Sequence, residues 1–136
     1  MSQYLMLSTR IVSIPHLISA LRDLGFAEVE VCEIPQTLMD FQGNPRPDQA
    51  EVIIRRMHLS LLSNDLGFRK GRDGRFVAIV SDYDRQKFDA AWLKRLTQRY
   101  AYHVTRETLS QQGFDLVEEN TDPRGTIQLT LRRMGD

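Results

Sequence analysis

Apolar residues recur at helical spacing most clearly between Asp84 and Gln112, inside the longest stretch of the chain without Gly or Pro. Phe88, Trp92, Leu96, Tyr100 and Val104 share one face there, and Leu93 widens the stripe. Asp82 or Asp84 stands where an N-cap belongs and Gly113 where a helix stops. The spacing therefore predicts a helix over Asp84–Gln112 that lies on a core. Its opposite side carries Arg95, Arg99, Tyr102 and Arg106, a basic stripe holding one ring.

Elsewhere alternation dominates. Gln3–Val12 predicts a strand with Leu5, Leu7, Thr9 and Ile11 on one face and Tyr4, Met6, Ser8 and Arg10 on the other. Ser13 is placed to cap a helix that tolerates Pro15 in its first turn and buries Leu17, Leu21 and Leu24. Gly25 ends it, with Phe26 packing back. A second strand over Glu28–Ile34 should stop at Pro35, and Gln36–Asp48, with Gly43, Pro45 and Pro47, predicts a loop or irregular edge. Ala50–Leu62 predicts a long strand. Asn64, Asp65 and Gly67 turn the chain into a short strand around Phe68, Gly71–Gly74 makes a hairpin tip, and Arg75–Ser81 is apolar enough to be central. After the long helix come strands over Phe114–Glu119 and Thr126–Met134, joined by a turn at Asn120–Gly125. The order β-α-β-β-β-β-α-β-β predicts one α+β domain, a mainly antiparallel sheet with two helices on one face.

Two parts of the chain echo each other. Ala20–Phe26 (ALRDLGF) parallels Thr108–Phe114 (TLSQQGF), and Val52–Met57 (VIIRRM) parallels Leu129–Met134 (LTLRRM). A duplicated, ferredoxin-like β-α-β-β unit is the architecture this implies. Strand periodicity then turns Val52, Ile54, Leu129 and Leu131 toward the helices. Tyr4, Met6, Arg10, Arg55, Met57 and Arg132 share the other face. Arg mixed with Met and Tyr on an open sheet suits a partner protein or self-association.

Composition narrows the function classes. With 41% hydrophobic and 26% charged residues the chain is globular, and its net charge of zero supplies no general field for nucleic acid or membrane. Only Lys70, Lys87 and Lys94 are lysines, so Arg carries the positive charge. A single cysteine, Cys32, allows no internal disulfide and favours a reducing compartment. No targeting segment is expected, and no apolar run approaches the roughly 18 to 20 residues of a membrane span. His16, His58 and His103 sit on separate elements without metal-ligand spacing, so no metal or cofactor is expected. Asp82 and Asp84 are explained by capping. No catalytic constellation emerges, which points to a non-enzymatic protein. The stripe Arg95, Arg99, Tyr102, Arg106 is the alternative, nucleic-acid-binding surface, although a solvated helix face is the plainer explanation.

One resemblance covers nearly the whole chain. Asn64-Asp65-Leu66-Gly67-Phe68, Ser81-Asp82-Tyr83-Asp84, the run Trp92 to His103 (WLKRLTQRYAYH) and Gly113 to Glu119 (GFDLVEE) carry it. In these residues the chain resembles an uncharacterised family of cyanobacterial proteins and the chloroplast-encoded product called hypothetical chloroplast reading frame thirty-five. The resemblance implies no catalytic residue. It implies a photosynthetic host, a cytoplasmic or stromal protein, and an adaptor role beside an AAA-type ATPase.

Overall fold

A computed structural model describes residues 3–133. Its elements are β1 (Tyr4–Ser8), α1 (Ile14–Asp23), β2 (Glu30–Met39), β3 (Pro45–Ile54), a short 3-10 turn (Arg56–His58), β4 (Leu66–Lys70), β5 (Phe76–Ser81), α2 (Ala90–Gln111), β6 (Phe114–Thr121) and β7 (Ile127–Arg133). The class is α+β, and every strand pairing is antiparallel. Five strands form one sheet in the order β1-β5-β4-β3-β2, while β6 and β7 form a separate two-stranded sheet.

The main core lies between the inner sheet face and the two helices. Val52, Ile54, Phe68, Ala78 and Val80 meet Leu17, Ala20 and Leu21 of α1 and Trp92, Leu96 and Tyr100 of α2. Trp92 is buried, edge-on to Phe88 with ring centroids 4.8 Å apart. A buried Tyr hydroxyl needs partners. The Tyr100 hydroxyl accepts the backbone N–H groups of Val12 and Ser13, at 3.1 and 3.0 Å, and so ties α2 to the start of α1.

Several element boundaries differ from expectation, each for a local reason. The long helix starts at Ala90, because Asp89 rather than Asp82 or Asp84 caps it, accepting the Trp92 N–H at 2.9 Å. Residues before it form turns, with the Phe88 N–H on the Asp84 carbonyl at 2.9 Å. Ser13 occupies the N-cap position of α1, yet its hydroxyl goes to His16 Nδ1 at 2.6 Å instead of capping. Pro35 does not stop β2. Register shifts on either side of Gln36–Thr37 absorb it, and β2 continues to Met39 as a hairpin with β3. The stretch expected to be a loop or irregular edge is thus the irregular end of edge strand β2, the hairpin tip and the start of β3. β3 in turn ends at Ile54, not Leu62.

That hairpin folds over the outer sheet face. Leu38 and Ala50 are buried against Ile53 and Ile79, with Tyr4 packed beside them. A Cβ at Gly67 would stand 2.8 Å from Ala50 Cβ and 3.1 Å from Leu38, so only glycine lets the hairpin approach this closely.

The duplicated ferredoxin-like unit is not found. Val52–Ile54 belong to the main sheet, and after Arg55 the chain leaves it in the 3-10 turn Arg56–His58. Leu129–Arg133 lie in the separate hairpin; Met134 of the echo is outside the described residues. Helix, Gly, Phe and strand recur in both halves because Gly25 and Gly113, with φ of 101° and 91°, each terminate a helix.

Candidate functional site

The six residues assigned to one open face are dispersed. Met6 and Arg10 are exposed on and just after β1. Tyr4 is half covered: the β2–β3 hairpin brings the Met39 carbonyl to its hydroxyl, 3.4 Å away, and the Arg46 guanidinium 5.4 Å above its ring. Burial, reinforced by the charge of Asp65, pushes the Tyr4 phenol above its ordinary value. Arg55 is not displayed either, because β3 ends just before it. Its guanidinium holds Asp65 at 2.8 Å and Glu30 at 2.9 Å, and donates to the Thr37 carbonyl at 3.1 Å. The bond to Glu30, with that to Asp65, strengthens its hold on the proton against burial. Arg132 stands on the separate hairpin beside Asp115. Met57, 77% exposed, lies in the 3-10 turn beyond Arg55 rather than on a sheet face.

The stripe on α2 is likewise rearranged. Tyr102 is only 6% exposed, and the Arg99 guanidinium lies 4.2 Å from its ring centroid. Arg99 also holds Asp23 of α1 at 2.8 Å and Glu119 of β6 at 3.0 Å. The stacking ring and the central cation are therefore spent on internal contacts, and Arg95 and Arg106 remain exposed. Periodicity placed these residues opposite the core stripe, but it could not show that Arg99 bonds β6 and that Tyr102 is buried.

Two networks went unrecognised in the sequence. Between the helices, His103 of α2 meets Asp23 of α1 at 2.6 Å, and His16 of α1 meets Glu107 of α2, with both histidines on one groove. Burial alone would raise the Asp23 carboxyl, but its bonds to Arg99 and His103 prevail and hold it below the usual carboxylate range. The sequence spacing across 80 residues offers no sign of this pairing.

The second network is built from the segments NDLGF and SDYD, at the end of the sheet where β4 begins and β5 ends. Asn64, Asp65, Ser81 and Asp84 are all buried. Ser81 Oγ donates to Asp84 Oδ2 at 2.6 Å, the Asn64 N–H reaches the same oxygen at 3.0 Å, and Asn64 Nδ2 reaches Ser81 Oγ at 2.9 Å. Asp84 is thus an internal acceptor rather than a cation ligand. Asn64 Oδ1 accepts the Phe41 N–H at 2.9 Å. Asp65, 1% exposed, accepts the N–H groups of Met39 and Arg56, each at 2.8 Å, besides Arg55. Every carboxylate oxygen named here has a partner, as buried charge requires.

Around this polar centre stands an apolar rim. The network fixes the backbone at Phe41, Arg56 and Asn64, the Asp84 N–H bonds Ser81 Oγ, and Leu59 packs inward against the core. The loop beyond Arg56 then has nowhere to bury Met57, Leu61 and Leu62; Leu61 is 90% exposed. Phe41 and Tyr83, also exposed, flank the same centre. The hydroxyls of Ser60 and Ser63 bond at 2.6 Å, so the loop is closed on itself. Among the described residues no group of His, Cys, Asp and Glu is clustered to hold a metal, and no helix is long and apolar enough to cross a membrane.

Residues 20–130, which include the whole of the second network and all of the first except His16, match the family described as "Protein of unknown function (DUF1257)". The chain belongs to that family. It is also 25% identical over 134 residues to "Uncharacterized protein ycf35" of Cyanophora paradoxa, covering 98% of each chain. The protein of the same description from Pyropia yezoensis is 25% identical over 138 residues, again covering 98% of each. No solved structure matches significantly. The DUF1257 description assigns no activity, so roles in this member rest on its geometry.

Proposed function

We propose that the protein is a non-enzymatic interaction module that docks another protein on the apolar rim of Phe41, Met57, Leu61, Leu62 and Tyr83. The supporting observation is the ordered loop beyond Arg56, whose apolar side chains face solvent while its base is clamped by Asp65. Large apolar side chains held at a rim contribute to association without first being ordered, which lowers the cost of binding. An AAA-type ATPase in the cytoplasm, or the stroma in plastid relatives, is the partner class that the resemblance implies, and it belongs to the same proposal.

The test is affinity capture from native lysate with Leu61→Asp combined with Leu62→Asp. Both side chains are exposed, so melting should stay within about 4 °C of wild type, since two surface changes of under ~0.5 kcal/mol each shift the midpoint by no more than that. The expected result is loss of a protein set that the wild type retains. Recovery of an unchanged set with the double variant places the contact elsewhere, and an ATPase absent from the lost set removes that partner class. The charge reversal Arg55→Glu is unsuitable for this purpose, because it would break the buried pair with Asp65.

A further inference from the structure

Five strands form the main sheet, but β6 and β7 stand alone, and a two-stranded ribbon is marginal in water without further packing. None of its residues is fully buried. Phe114, Leu116, Ile127, Leu129 and Leu131 are each only half covered. What covers them now is α2, and only on one side. The bonds from Arg99 to Asp23 and Glu119 set β6 on the α1 side of α2. The free edge of β7 therefore lies on the far side, above an open groove of about 360 Å³ lined by Gln98, Ala101, Tyr102, Thr105, Ile127 and Leu129.

The two edges of the ribbon are unlike. β6 carries Asp115, Glu118 and Glu119 and a register shift between Leu116 and Glu118, the devices that keep an edge from pairing. β7 has no charge from Ile127 to Leu131, no Gly or Pro, and no shift of its own. In the main sheet β1 is only five residues long and β2 is interrupted by Pro35 and its register shifts. Among the described residues nothing guards the open edge of β7.

Its outward groups can be assigned. The Asp122 N–H bonds the Thr126 carbonyl at 2.9 Å, so by alternation Thr126, Gln128 and Thr130 turn their backbone groups toward β6. Ile127, Leu129 and Leu131 turn theirs outward. We propose that a second copy of this chain pairs antiparallel with β7 through these groups, making a four-stranded β6-β7-β7-β6 sheet. With the twofold axis at Leu129, Ile127 faces Leu131 and Gln128 faces Thr130 of the other copy. No like charges then stand opposite one another, and the incoming leucines fall on the groove side beside Ala101. Pairing β6 with β6 would instead crowd carboxylates together.

The test is sedimentation velocity of the full chain over a concentration series. The mass should rise from the 15.8 kDa of one chain toward twice that value. Gln128→Lys with Thr130→Lys changes two exposed side chains and sets lysines against each other across the axis, while Lys at 130 lies opposite Glu118 within its own hairpin. This variant should remain a monomer where the wild type is a dimer. Gln128→Glu with Thr130→Lys sets opposite charges across the axis and should restore the dimer, which separates repulsion from misfolding. A wild type that stays monomeric at about 100 μM, well above the micromolar range of standard interfaces, overturns the proposal. So does a dimer that survives the lysine pair, or one that the Glu–Lys pair fails to restore.

Discussion

Gly67 and Asp65 show how two residues decide what the outer half of the molecule can do. Gly67 admits the β2–β3 hairpin onto the sheet; with Ala there, the added Cβ meets Ala50 Cβ at 2.8 Å. Gly67→Ala is expected to cost about 1 to 3 kcal/mol through overpacking. Denaturant unfolding checks this, and Ala50→Gly in the same chain should recover part of the loss; an additive double variant would contradict the direct contact. Asp65 holds the hairpin at Met39, the loop at Arg56 and the cation of Arg55. Asp65→Ala leaves Arg55 with Glu30 and the Thr37 carbonyl, and leaves the Met39 and Arg56 N–H groups without their acceptor, so a loss of about 3 to 5 kcal/mol is expected. A variant whose unfolding midpoint hardly moves would mean that this centre is not what clamps the rim.

Among the elements, the sequence disclosed those whose signal is local. The α2 stripe from Trp92 to Val104, the Gly25 stop and the interior, though not central, position of β5 follow from periodicity and backbone chemistry, and the faces of Val52, Ile53 and Ile54 followed too. Missed were features settled by distant parts of the chain. Pro35 reads as a stop, but register shifts accommodate it. Arg55 reads as a displayed strand residue, but Asp65, ten positions on, draws it inward. Tyr102 reads as exposed because nothing in α2 itself announces that it is buried. The same limit hid the junction of α1, α2 and β6 at Asp23. Its lowered carboxyl contributes stability at pH values above the unfolded value of about 3.9, and that contribution is lost as pH falls through the lower folded value. Wild type should accordingly exceed Asp23→Asn in unfolding midpoint at neutral pH, with the two converging as pH falls below the usual carboxylate range. A difference that grows on acidification would reverse the sign of the linkage.

For the molecule as a whole, cohesion is uneven. β4 and β5 are interior strands carrying Leu66, Phe68, Phe76, Ala78, Ile79 and Val80 at near-zero exposure, whereas β6 and β7 bury nothing fully. Local opening follows the density of buried apolar contact, so the ribbon should open without the main sheet. Hydrogen exchange on dilute protein is expected to show lower protection in β6 and β7 than in β4 and β5; equal protection would mean that the ribbon unfolds only with the core. The pattern within β7 carries further information. In a lone ribbon the Gln128 and Thr130 N–H groups bond β6, while those of Ile127, Leu129 and Leu131 meet water and should exchange fast. On concentration, a paired edge should slow these three amides selectively and leave loops such as Gly71–Gly74 unchanged. General stabilisation of the ribbon would slow the amides of Ile127 through Leu131 together instead. Alternation of slowed and unslowed positions is therefore the signature of a second strand at this edge, and a Leu129 amide that exchanges equally fast at both concentrations would show the edge uncovered.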